Sequence, residues 1–248
     1  MSQSGIGRIE IFEDFLGEQD PVSVNQDGKR SIGSFRVVGT GTEDASSGVT
    51  INEGDPSLGG VGRLTSSETQ NSDVCALVTS KCFDAALMGT LIMEVRVQFP
   101  NLATKAAFIG FCDTNDVDET IPASISGATI TLTADHQVGF CFDNDADSTE
   151  NWYYTYKGGS VTGITVAATN DSGVTIVAQE WDILRVEVDP NGTARWYING
   201  VLKKTLNGAL STSANVCAFA GVETETSTST ETMDLDYFLV RANRDWTR

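Results

Sequence analysis

Apolar and polar residues alternate with a period of two along most of this chain. In Ile183–Val188, Leu184, Val186 and Val188 fall on one side and Arg185 and Glu187 on the other, the mark of a half-buried strand. Asp189-Pro190-Asn191-Gly192 follows, with a proline that fixes φ and an Asn-Gly step that accepts positive φ. Thr193–Ile198 alternates again, placing Ala194, Trp196 and Ile198 together, and Asn199-Gly200 then marks a two-residue hairpin turn into Val201–Leu206. The pattern predicts a three-stranded antiparallel meander with Leu184, Val186, Val188, Trp196 and Ile198 inside.

The same reading places strands at Ile9–Phe15, Ser34–Val38, Val61–Leu64, Val74–Thr79, Leu91–Phe99, Ala128–Thr133, Gln137–Phe142, Trp152–Tyr156, Val161–Val166, Val174–Ala178, Asn215–Val222 and Met233–Val240. Ala106–Cys112 is almost wholly apolar and reads as a strand buried on both faces. Lys81–Met88 reads as the one short helical turn. The segments 18–28 and 40–60 are rich in turn residues and read as long loops, the second with Val49 and Ile51 as its only alternating pair. Asp113–Glu119 and Asp143–Glu150 are acidic loops, and 241–248 is a C-terminal tail. Many short strands with turns between them and almost no helical period predict one all-β sandwich over 1–248.

Composition narrows the function. With 40% hydrophobic residues the chain can bury a sizeable core, while a formal net charge of -18 repels phosphate backbones and anionic membrane surfaces. No nucleic-acid or membrane partner is expected. Cys75, Cys82, Cys112, Cys141 and Cys217 are odd in number and lack C-x-x-C spacing, and most sit inside apolar runs, so buried free thiols are expected. The start, MSQSGIGRIEIF, lacks the basic and apolar regions of a secretory signal, which implies assembly in a reducing cytoplasm.

The run from Trp181 through D-P-N-G and W-Y to N-G-V-L resembles the late hairpin of the concanavalin-A-like jelly rolls, a superfamily of lectins, laminin-G-like modules and laminarinase-type glycoside hydrolases. Ile9–Phe15 resembles their opening strand, Leu235–Val240 their closing strand, and Leu91–Pro100 the strand that precedes the active-site strand of the hydrolases. The resemblance implies two antiparallel sheets in a jelly-roll sandwich.

Catalytic chemistry is poorly provided for. The hydrolases of that superfamily carry E-x-D-x-E or E-x-D-x-x-E on a strand, where alternation brings carboxylates to one face. Here Glu223 and Glu225 lie in a Ser/Thr tract, and Asp234 and Asp236 lie on the closing strand. The single histidine, His136, sits in TADHQV and reads as a surface residue at a turn. Asp143, Asp145 and Asp147 alternate as a candidate Ca²⁺ loop, with a solvated acidic turn as the alternative; no other cofactor is indicated. Trp152, Tyr154 and Tyr156 are candidates for stacking on sugar rings, with a core role as the alternative.

A narrower resemblance covers Gln137–Lys157, where a V-G-F strand leads to D-x-D-A, N-W-Y and a lysine; with DILRVEVDPNGTARWYINGV it is similar to jelly-roll proteins of tailed bacteriophages. That resemblance implies a non-enzymatic virion component, a capsid decoration (cement) protein on the capsid exterior. Its partners would be the major capsid protein or other virion proteins, and it would be a homo-oligomer, with a trimer as the guess. A carbohydrate-binding tail module and a divergent glycoside hydrolase are the alternatives. Arg241, Arg244, Trp246 and Arg248 stand out as interface anchors, because forked cations and broad aromatic faces bury well together.

Overall fold

The computed structural model describes residues 2–3, 7–16, 22–23, 31–39, 47–51, 60–66, 72–116, 120–147, 150–225 and 229–244. In chain order the strands are β1 (Ser2–Gln3), β2 (Arg8–Glu13), β3 (Val22–Ser23), β4 (Ser31–Ile32), β5 (Phe35–Val38), β6 (Gly48–Ile51) and β7 (Gly62–Ser66). Next come β8 (Val74–Val78), β9 (Phe83–Asp84), β10 (Leu91–Gln98), β11 (Lys105–Cys112), β12 (Ala123–Ser126), β13 (Thr129–Leu132) and β14 (Gln137–Asp143). The last are β15 (Asn151–Lys157), β16 (Asp171–Thr175), β17 (Asp182–Val188), β18 (Ala194–Ile198), β19 (Val201–Leu206), β20 (Asn215–Thr224) and β21 (Glu231–Asn243).

Two antiparallel sheets carry most of these strands. Sheet A runs β19-β18-β17-β10-β21-β7-β6-β3, and sheet B runs β16-β15-β14-β11-β20-β8-β5-β4 with β9 beside β20. The long β21 is the spine of sheet A. One of its edges takes β10; the other takes β7 along Glu231–Leu235 and then β2 along Phe238–Asn243. Between the sheets lies one continuous core, in which Phe35 of sheet B stacks on Phe238 of sheet A at 4.2 Å between ring centroids. Leu184, Val186, Val188, Trp196 and Ile198 are all in it, as the alternation requires. Trp196 also crosses the core with its indole N–H, donating to the Gly139 carbonyl of β14 at 2.8 Å, so a large buried ring leaves no polar atom unpaired.

The turn chemistry behaves as its residues dictate. Asn199 and Gly200 both adopt positive φ, 52° and 78°, which a tight hairpin with primed geometry demands. At the D-P-N-G turn, Gly192 (φ 78°) donates its N–H to Asp189 at 2.9 Å. Lys81–Met88 forms β9 and then a single turn closed by Met88 N–H on the Asp84 carbonyl, with the Asp84 carboxylate accepting from the Ala86 and Leu87 N–H groups.

Some assignments change. Val161–Val166 is not a strand; a 3₁₀ turn at Ala167–Thr169 follows it, and the strand expected over Val174–Ala178 is instead edge strand β16 over Asp171–Thr175. Pairing with β15 overrides the local signal of Asn-Asp-Ser-Gly, and a register shift accommodates the irregularity. Both long loops carry short strands, β3 in 18–28 and β6 in 40–60, and most of their other residues lie outside the described set. The tail is shorter than expected, because β21 continues through Arg241 and Ala242 to Asn243.

A second apolar layer lies on the outward face of sheet B. The β12–β13 hairpin and the segment around Ile164 and Ala167 cover that face. Ile121, Ala123, Ile125, Ile130 and Ala134 pack there on Val78, Phe108, Cys141, Tyr153 and Phe219. This is why every residue of β11 is buried, as its unbroken apolar run predicts. Lys105, at the start of β11, is fully buried too; its Nζ lies 2.9 Å from Glu231 and donates to the Thr232 carbonyl of β21 at 3.1 Å, tying sheet B to sheet A. Burial pushes the Lys105 amine down in pKa and Glu231 opposes that. Deleting one partner of such a pair strands the other charge, at a cost of about 3–5 kcal/mol.

Trp196→Ala is expected to destabilise the protein by about 3–5 kcal/mol in chemical denaturation, through the cavity it leaves between the sheets. For the cysteines, burial pushes the Cys75 thiol up to about 12 and Cys141 well up, and Cys112 and Cys217 are also buried, whereas Cys82 is exposed. Thiol titration of the native protein should therefore detect Cys82 alone, and titration in denaturant without reductant should detect all five.

Candidate functional site

The first strand of sheet B after Phe108–Cys112 is β14, and its inward residues Val138, Phe140 and Phe142 belong to the main core. Gln137, Gly139, Cys141 and Asp143 therefore point outward. Side chains at such alternate positions share one face, the arrangement that a pair of catalytic carboxylates on one strand requires. Here the row holds down the chain's own hairpin. Gln137 Nε2 donates to the Pro122 carbonyl at 2.8 Å, Cys141 Sγ to the Ala123 carbonyl at 3.3 Å, and the Ile125 N–H donates to Asp143 Oδ2 at 2.5 Å. Three of these four outward residues thus hold three backbone groups of Pro122–Ile125, and the hairpin occupies the face.

At the end of that row three carboxyl groups meet. Asp143 on β14 and Glu223 on β20 flank Ala106 of β11 in the ladder, and Glu225 hydrogen-bonds Asp143. Glu223 accepts from the Ile121 N–H and from Ser72. Burial pushes Glu223 up to about 7 and Glu225 up to about 9, Asp143 adding to the latter, and burial raises Asp143 itself. The hydrogen bond between Glu225 and Asp143 raises Glu225 and lowers Asp143, the pattern of a carboxyl group donating its proton to a neighbouring carboxylate.

The candidate calcium loop does not converge. Asp143 is buried and its second oxygen accepts the Asp145 N–H at 2.8 Å, while Asp145 and Asp147 are exposed. Their backbones clasp the β12–β13 turn: Gly127 donates to the Asp145 carbonyl and Asp147 donates to the Gly127 carbonyl, at 2.9 and 3.0 Å. Among the described residues no three of His, Cys, Asp and Glu are placed to hold a metal ion. His136 is partly exposed at its turn, with Nδ1 2.8 Å from Asp113.

The aromatic candidates need correcting. Trp152 is fully buried and Tyr154 is 5% exposed, both within the main core, so neither ring is open for a sugar; only Tyr156 is half-buried. Trp152 donates its indole N–H to Asp182 at 2.9 Å, and Lys204 Nζ lies over the Tyr154 and Tyr156 rings. The alternation W-x-Y-x-Y points into the sandwich because β15 pairs with β14 in that register. Of the tail residues, Arg241 is half-buried in β21 and pairs with Glu10 at 2.7 Å, Arg244 is exposed, and Trp246 and Arg248 lie outside the described residues.

The open polar surface is the outward face of sheet A. Arg63 pairs with Asp234, Arg96 with Asp236, Arg185 with Glu94 and Glu187, and Arg195 with Glu187 and Asp189. Tyr237 donates to Glu94 at 2.9 Å and Tyr197 to Glu187 at 3.3 Å; Arg96 lies over Trp181. A shallow cleft of about 230 Å³ opens between Glu94, Ile183, Arg185, Glu187, Tyr197 and Gly200. The alternating charges of β10 and β17 are visible in the sequence, but their pairing depends on residues up to 140 positions apart, as Arg96 and Asp236 are.

No protein-family model and no curated protein sequence matches the chain. Solved structures do. A Shewanella oneidensis MR-1 protein of unknown function, SO2946, is 15% identical with a TM-score of 0.60, covering 100% of this chain and 92% of its own. The Bacillus licheniformis β-glucanase is 14% identical with a TM-score of 0.52, covering 98% and 100%. The chain has the concanavalin-A-like jelly-roll fold. Peanut lectin, at 15% identity and a TM-score of 0.54 over 95% and 97%, shares it, so the fold houses both lectins and glucanases.

The carboxyl cluster sets a pH dependence. Glu223 and Glu225 have folded-state pKa values raised above their ordinary 4.5, so their contribution to stability is full below pH 4.5 and is lost as pH rises through about 7 and then about 9. The melting temperature should fall over that range. Glu225→Gln, which still donates to Asp143 but cannot ionise, should melt like the parent at pH 5 and above it at pH 9; parallel profiles for the two proteins would remove the shared proton from the account.

Proposed function

We propose that the chain is a non-enzymatic structural binding protein of the virion, a decoration protein on the outside of a tailed-phage head. The observation that carries this reading is the hairpin clamped onto β14 by Gln137, Cys141 and Asp143, which takes up the sheet face where a hydrolase would need an open cleft. A protein whose strand positions for chemistry serve its own packing works through its surfaces. The similarity of Gln137–Lys157 and Asp182–Val201 to phage jelly-roll proteins supplies the setting. A net charge of -18 suits a capsid exterior better than a surface facing packaged DNA. In this reading Arg244, Trp246 and Arg248 follow the closing strand as anchors to the major capsid protein.

A second reading, carbohydrate binding, is favoured by the fold's likeness to peanut lectin. It would have to use surfaces other than Trp152 and Tyr154, which the core takes up.

Co-sedimentation of the purified protein with assembled heads tests the first reading, and a glycan array tests the second. Saturable binding to heads and no glycan signal is the expected result, with no turnover of β-glucans. Removing residues 245–248 should weaken head binding at least about tenfold, the scale of one lost interface anchor, and leave the melting temperature unchanged. Full head binding by the truncated protein would rule out the anchoring role.

A further inference from the structure

Charge is distributed very unevenly over this molecule. The outward face of sheet A carries Arg8, Arg63, Arg96, Arg185, Arg195 and Arg241, interleaved with Glu10, Glu94, Glu187, Asp189, Asp234 and Asp236. Among the described residues of this face six cations balance six carboxylates, so the net charge of -18 lies elsewhere on the chain. Between the ion pairs the same face shows Phe12, Ile92, Tyr197, Tyr237 and Leu239, all half-buried, and Leu202, 49% exposed, at its β19 edge. Arginine with aromatic and aliphatic side chains is the composition of interface centres.

We propose that this face docks against a second copy of the chain, face to face about a two-fold axis. A basic partner would be drawn to the acidic remainder of the molecule. A face without net charge instead suits a partner that is itself acidic, because every other approach between two acidic proteins is repulsive. A second copy is such a partner. A surface carrying its own arginines and its own carboxylates can meet itself by exchanging pairs, which is what an isologous contact requires. The size also fits. Strands β18, β17, β10 and β2, five to eight residues long, with the 13-residue β21 among them, are spaced by about 4.8 Å and make a patch roughly 25 Å across, comparable to the ~800 Å² that one side of a standard interface buries. This pairing is independent of whether the chain joins a virion.

Sedimentation velocity and light scattering on the purified chain test it. A dimer mass is expected, with association strengthening as salt rises, because salt screens the repulsion between two copies of charge -18 while the contact itself is neutral. Leu239→Glu and, as a variant too exposed to disturb folding, Leu202→Glu should each weaken dimerisation at least about tenfold without lowering the melting temperature of the dilute protein. Val166→Glu, on an exposed residue of the opposite side, should leave the dimer intact. A monomer at every salt concentration, a trimer mass, or a dimer indifferent to Leu202→Glu would overturn the proposal.

Discussion

A sheet with one face in water can alternate apolar and polar residues freely, but β11, β14 and β20 have no such freedom, because the β12–β13 hairpin lies across them. Burial on both faces removes water as a hydrogen-bond partner, and each polar group caught there must find one within the chain or cost about 1–3 kcal/mol. The consequences run through the central strands of sheet B. Outward positions that are not apolar are cysteine, glycine or a side chain fixed to the hairpin backbone. Gly139 and Gly110 face each other with no room for a Cβ: one built on Gly139 would lie 2.5 Å from the Ile109 carbonyl oxygen, and one on Gly110 2.3 Å from that of Val138. Asp143 survives burial because two backbone N–H groups and the Glu225 carboxyl satisfy it.

The same constraint separates the two sheets in character. The central strands of sheet B are dry on both sides and their buried carboxyl groups hold protons upward of their ordinary range, whereas sheet A keeps its outward face open to water, its arginines and carboxylates matched across β10, β17, β18 and β21. Tyr237 sits within that ladder with its phenol pushed up by burial and by the Glu94 carboxylate it donates to, so it remains a donor throughout the physiological range. Lys105 and Glu231 join the two regimes at the head of the closing strand. The covered face of sheet B and the charge-balanced face of sheet A thus lie on opposite sides of one core.

Much of the sandwich was legible in the sequence, and for a local reason. Side chains alternate sides along a strand, so Leu184, Val186, Val188, Trp196 and Ile198 announce an inner face without reference to anything distant, and Asn-Gly announces its turn because few residues tolerate positive φ. The unbroken apolar run of Ala106–Cys112 likewise signalled a strand with two covered faces. Where a local signal competed with pairing, pairing won: Asn170–Gly173 carries turn residues, yet β15 draws Asp171–Thr175 into the sheet, and the tail at Arg241 was absorbed by β2.

By itself, then, the sequence determined the all-β class, the meander, the core register and the strongly acidic character, all of which depend on residues within a few positions of one another or on plain composition. Only the tertiary structure decided what covers each face. Nothing local in Trp152, Tyr154 and Tyr156 says whether that row looks inward or outward, because period two fixes that the three share a side but not which side. Nor could spacing show that Asp143 would leave its acidic neighbours to grip Ile125 and share a proton with Glu225, or that Glu10 would wait for Arg241 at the other end of the chain. Those outcomes belong to strand order, which brings together residues that the sequence keeps far apart.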